Sequence, residues 1–198
     1  MARASSTPGT IAITLASALT LSNPLGAFGF QVDPPLRMDT NISEAQVLQA
    51  QKGWCAGLLA ISEAYATGGF VKAKATATQV LDQAYGYPYG AVAFKPTLTT
   101  PPQTFRATKA GALAYFVGGD PSHPNDKGFA IKPWKTCAVR NQVIQLHGMF
   151  ATTMGNVDLT DAKGAVTTVD KTWVFLKEPD GQIRIVLHHS SLPFTLPR

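Results

Sequence analysis

The sequence is poor in charge and in cysteine, and it carries few of the short motifs by which enzymes are usually recognised. Only 15% of its 198 residues are charged. The excess of basic over acidic groups, a formal +5, is spread as single residues such as Lys52, Lys95 and Arg140. A nucleic-acid surface needs such charges gathered on one face, so no nucleic-acid partner is expected; scattered basicity suits small anions better. The two cysteines, Cys55 and Cys137, have no CxxC or other metal-ligand spacing, which argues against a zinc knuckle. They read as small buried side chains on separate elements, with a single disulfide the second reading if the chain is exported. No GxSxG is present, and no apolar run near the N-terminus reaches the ~20 residues needed to span a bilayer.

What the first 30 residues do contain is a weakly basic start, an apolar stretch from Ile11 to about Leu21, and small residues after it. That layout predicts a cleavable secretory or transit-like targeting segment over residues 1–30, hence export or an organelle (periplasm, extracellular space or plastid) and no membrane span in the mature protein. The bland reading is an unstructured Ser/Thr-rich tail.

Beyond the "VDPPLR" joint, Ser43 and Gln46 form the pattern of a capping box. Val47, Trp54, Leu58, Ile61 and Tyr65 then recur at helical spacing up to Gly68-Gly69. A second helix is predicted from Val71 to Tyr85, ended by "YGYPYG", and a short extended arm at "AVAFKPT". A short helix capped by Thr108 should stop at Gly118-Gly119. From Trp134 the period changes to two, predicting strands over 134–141, 143–157, 165–177 and 182–191, the last two joined through Asp180-Gly181. Helices followed by an antiparallel meander imply an α+β fold, a cone in which helices pack on the concave face of a curved sheet and enclose a pocket.

The pairs of His and Ser in "RIVLHHSSLPF" occupy the last strand. Strict alternation places Ile183, Ile185, Leu187, His189 and Ser191 on one face, and His188 with Ser190 on the other. Adjacent histidines on opposite faces cannot share a metal, and a serine nucleophile would also need an oxyanion hole and an orienting acid. For His189, among aliphatic neighbours, a satisfied core position is expected.

Four ordered segments, "FKPT", "KAGALAYFVGG", "DKGFAIKPW" and "IRIVLHHSSLPF", together resemble the iota-class carbonic anhydrases, over residues 40–196. The resemblance implies the cone-shaped SnoaL-like, or NTF2-like, fold that is also found in the association domain of the calmodulin-dependent kinase. It further implies reversible hydration of carbon dioxide to bicarbonate, often in a homodimer, at Thr97, Tyr115, His188 and Ser190. The apolar lining expected for so small a substrate includes Leu113, Phe116, Val117 and Phe129. No cofactor is expected and no metal site is assigned, with zinc or manganese left open by the family. In a metal-free site the hydroxyls position water and product oxygens. His188, with an imidazole titrating near neutrality, then accepts the proton or orients Ser190. Two other classes share the fold: a non-catalytic oligomerisation or ligand-binding module, and an isomerase or cyclase. The latter needs a carboxylate inside the cone, whereas Asp158, Asp161 and Asp170 fall near turns or strand ends.

Overall fold

The computed structural model describes residues 40–196; the targeting segment expected over residues 1–30 lies outside them. Its first element, α1 (Glu44–Ala84), begins at Ser43, whose hydroxyl accepts from the Gln46 backbone while the Gln46 side chain returns to the Ser43 N–H. At Gly69 the helix is interrupted by φ 65° and ψ −161°, a conformation open to glycine because it has no Cβ. The chain folds back there: a Cβ on Gly57 would touch Val80, so the two arms lie side by side as a helical hairpin. The predicted pair of helices is therefore present, with Gly69 as the reversal.

A three-residue strand, β1 (Ala93–Lys95), and a short helix, α2 (Lys109–Val117), follow; the Thr108 hydroxyl caps α2 through the Gly111 N–H at 3.1 Å. The rest is β2 (Trp134–His147), β3 (Phe150–Asp161), β4 (Val166–Lys177) and β5 (Ile183–Ser191). The sheet order is β1-β5-β4-β3-β2. Strands β2 to β5 are antiparallel neighbours, while β1 adds to β5 in parallel, pairing Phe94 with His188. The meander is thus extended into a mixed sheet by the arm that carries Thr97.

Two features differ from the sequence reading, one strand boundary and one face assignment, and both involve bulges. The polar Asn141-Gln142 step is not a turn between strands; β2 runs through it with a register shift between Asn141 and Val143, and the reversal comes at Gly148. Gly155 faces this irregularity, where a Cβ would overlap the Arg140 carbonyl. A bulge admits an extra residue without ending the strand, which polar composition alone does not reveal. In β5 a second shift, between the pairs Val174–Leu187 and Phe175–Ile185, leaves Val186 as the extra residue. Alternation is reset there, so Ile185, His188 and Ser190 all face inward and are buried. His189 points outward and is exposed, contrary to the core position expected for it.

The core joins α1 (Val47, Trp54, Leu58, Ile61, Leu81) to inward residues of the sheet (Val157, Val169, Trp173, Phe175). Cys55 and Cys137 are not separate thiols but a disulfide, with Cα atoms 5.4 Å apart, tying α1 to β2. Spacing could not show this, because the pairing depends on how the helix lies across the sheet. Closing so long a loop restricts the unfolded chain. The double variant Cys55→Ala/Cys137→Ala should therefore lose about 2–5 kcal/mol in urea unfolding. A second tie is Arg106, whose guanidinium forms a fork onto Asp126 at 2.8–3.0 Å with both side chains 2% exposed. Arg106→Ala leaves a buried carboxylate unpaired and should cost about 3–5 kcal/mol in the same measurement.

Candidate active site

The segment just after β1, the C-terminal half of α2 and the last residues of β5 meet where the inward face of the sheet is most aromatic. Thr97 Oγ1 and Ser190 Oγ lie 2.7 Å apart, each able to donate to the other. The Tyr115 hydroxyl is buried without a hydrogen-bonded partner; Thr97 and the Leu98 backbone face it. Burial dominates its electrostatics and pushes its pKa upward, so the phenol stays neutral and keeps its proton for donation. Its ring stacks on Phe129 at 5.6 Å and meets the face of Phe94 edge-on at 5.9 Å.

His188 sits two residues from Ser190 and is 2% exposed. Its imidazole stacks on Phe94 at 4.5 Å and touches Trp54 and Trp173. A chain of two hydrogen bonds fixes its tautomer. Trp54 Nε1, which can only donate, gives its proton to Tyr85 Oη at 2.9 Å. Tyr85 Oη lies 2.8 Å from His188 Nδ1, and this nitrogen is the acceptor left for the phenolic proton. A neutral imidazole accepting at Nδ1 carries its hydrogen on Nε2, and Nε2 is buried without a protein partner. Burial first, and then the nearby charge of Lys171, hold the imidazole pKa well below its ordinary value.

His188 is accordingly a neutral N–H donor, not the base titrating near pH 7 that the sequence suggested. It does not orient Ser190 either: the partner of that hydroxyl is Thr97. Since burial lowers the folded pKa, the unfolded chain binds the extra proton as pH falls below about 6.5. His188 thus makes the protein lose stability on acidification through that range. The His188→Asn variant should show a flatter decline in Tm between pH 7 and pH 5, read by calorimetry.

The geometry therefore brings together all four expected polar residues. Of the expected lining, Phe129 covers Tyr115, and Phe116 stacks against Phe94 at 6.2 Å. Val117 is buried in the same core, while Leu113 is only half-buried at its margin.

A protein-family model described as metal-independent carbonic anhydrase matches residues 45–192. The chain belongs to the metal-independent carbonic anhydrases. A curated relative of that name from Nostoc sp. (strain PCC 7120) is 56% identical over 153 residues, covering 77% of this chain and 75% of the relative. A crystal structure of a cyanobacterial iota-carbonic anhydrase complexed with bicarbonate is 52% identical, with a TM-score of 0.80 over 83% of this chain and all of that one. The calmodulin-dependent kinase II association domain from Xanthomonas campestris, 21% identical with a TM-score of 0.52 over 78% of this chain and 91% of that one, shares the fold alone.

Within this carbonic anhydrase fold, three site-forming residues were not singled out by sequence. Tyr85 reads as the last residue before an aromatic break, and Trp54 as an ordinary core position on a helix. Phe94 reads as one apolar residue of an extended arm. Only the register of β1 on β5 and the packing of α1 across both strands place them around one imidazole.

Proposed function

We propose that this protein catalyses the reversible hydration of carbon dioxide to bicarbonate and a proton, without a metal, at the polar cluster where the segment after β1, the end of α2 and β5 meet. The observation that carries this is the Thr97–Ser190 hydroxyl pair, half-buried at Thr97 and buried at Ser190, beside two unpartnered donors, Tyr115 Oη and His188 Nε2. One hydroxyl of the pair donates to the other, so the pair keeps one free proton and spare lone pairs. It can accept a hydrogen bond from a water and turn that water's own lone pair toward the substrate carbon. As the water oxygen bonds to carbon, one C=O electron pair moves onto oxygen. Neutral O–H and N–H donors held in an apolar wall stabilise that charge without reorganising. The wall itself, Phe94, Phe116, Phe129 and Trp173, suits a small molecule with no net dipole and excludes competing water.

The test is stopped-flow carbon dioxide hydration by the purified protein after exhaustive chelation. Activity retained at the untreated level supports the reading; activity abolished and restored only by zinc or manganese overturns it. The isomerase alternative finds no support at the site: the buried Asp126 is tied to Arg106, and Asp158 and Asp170 pair with Arg140 and Asn156 at exposed positions.

The same proposal includes a homodimer and export or organellar targeting through residues 1–30. The Cys55–Cys137 bridge supports the latter, because disulfides persist in oxidising compartments. Light scattering and N-terminal sequencing of the protein from its native source test the two.

A further inference from the structure

The hydration reaction releases a proton, and none of Thr97, Tyr115, His188 and Ser190 is a base for it. Tyr115 keeps its own proton, and His188 has Nδ1 committed to Tyr85. A third group shares the same inward face. Lys171 on β4 is the cross-strand partner of Ser190 on β5, two residues along the ladder from the Trp173–His188 pair and on the same face. Directly opposite residues of an antiparallel pair lie side by side on one face. Its side chain is enclosed, 4% exposed, and its Nζ stands 4.1 Å from the Trp54 ring centroid and 5.1 Å from that of Trp173. These indoles also wall His188. A lysine so deeply buried is ordinarily paired with a carboxylate, yet Lys171 makes no hydrogen bond or ion pair among the described residues.

We propose that Lys171 is the internal proton acceptor of the hydration step, taking as a neutral amine the proton that leaves the attacking water. This rests on the reading of the site as a carbon dioxide hydratase. The step balances: water oxygen bonds to carbon, a C=O pair moves to oxygen, and the amine lone pair binds the released proton. Carbon dioxide, water and R–NH2 become bicarbonate and R–NH3+. Neutral reactants yield an anion and a cation close together in a largely buried site, where each offsets the desolvation that would disfavour the other alone. The two indole faces stabilise the ammonium by cation–π attraction and would repel an anion. The return of the proton to solvent completes the cycle.

The groups facing Lys171 are consistent with this. From α1 come Trp54 and the neutral Gln51, which is bonded to Asn141 and Thr153. From β3 comes Gly155. From β5 come Ser190 and the neutral His188; Lys95 on β1 holds its ammonium on the Ser190 carbonyl at 3.2 Å. No carboxylate offsets burial, which lowers the Lys171 pKa to about 7.

The test measures carbon dioxide hydration at low buffer concentration for the wild type, Lys171→Met and Lys171→Arg. Methionine keeps the apolar stem; arginine keeps a positive charge but cannot be a base near neutrality. Both variants should lose about 100-fold in kcat with little change in KM. Lys171→Met should recover in proportion to added imidazole or methylamine, which carry the proton instead. The wild-type kcat should rise with pH through about 7, and this limb should vanish in both variants. Should Lys171→Met fail to fold, Lys171→Arg decides alone through kcat and the missing limb. Wild-type kcat in Lys171→Arg would overturn the proposal by showing that charge alone suffices, as would a loss in Lys171→Met that amines do not rescue. An inactive wild type would instead refute the hydratase reading itself.

Discussion

Ser190→Ala should reduce the rate of carbon dioxide hydration by about 100- to 1,000-fold, the usual cost of removing one preorganised polar group at a reacting oxygen. The substitution removes the oxygen that Thr97 faces at 2.7 Å. It takes away both the water-binding pair and the partner of the half-buried Thr97 hydroxyl. Stability should fall by only about 1–3 kcal/mol, the cost of one unsatisfied buried polar group, so the protein remains folded and the rate loss is a property of the site. Stopped-flow hydration with an indicator dye, alongside urea unfolding, separates the two effects. A variant within twofold of wild type would show that the pair is structural, as in a module that uses this fold only for assembly.

Tyr85→Phe should cost about 10- to 100-fold in kcat, although Tyr85 touches no substrate. Second-sphere partners that orient a histidine typically carry an effect of this size, and a wrong tautomer can cost up to about 10,000-fold. Removing the phenolic oxygen strands two groups, Trp54 Nε1 and His188 Nδ1. The imidazole is then free to place its proton on either nitrogen, and the donor at Nε2 is diluted. Nitrogen-15 NMR of labelled histidine reads this directly: one Nε2–H tautomer for His188 in the wild type, a mixture in the variant. A purely structural Tyr85 would lower stability and leave the tautomer signature unchanged.

Much of this site was legible from residue order, and the remainder fails to be legible for identifiable reasons. His188 and Ser190 share a face because they are two apart beyond the bulge; the alternation argument holds for them and breaks for His189, since Val186 resets the register. Thr97 and Tyr115 were reachable only through the family resemblance, because their approach depends on a parallel pairing of β1 that three residues of sequence do not signal. Lys171 was within reach: Val169, Lys171, Trp173 and Phe175 form a period-two face on which one lysine stands among apolar residues. The Trp54–Tyr85–His188 chain was not, for it joins the middle of one helical arm, the end of the other and the last strand.

The most direct measurement of the central claim is a crystal structure of the protein soaked with bicarbonate. The anion is expected within hydrogen-bonding distance of Ser190 Oγ, Tyr115 Oη and His188 Nε2, against the face of Phe94. Bicarbonate bound elsewhere, such as in the cleft of about 480 Å³ beside the Cys55–Cys137 bridge, lined by Leu48, Leu59 and Val139 among others, would contradict it.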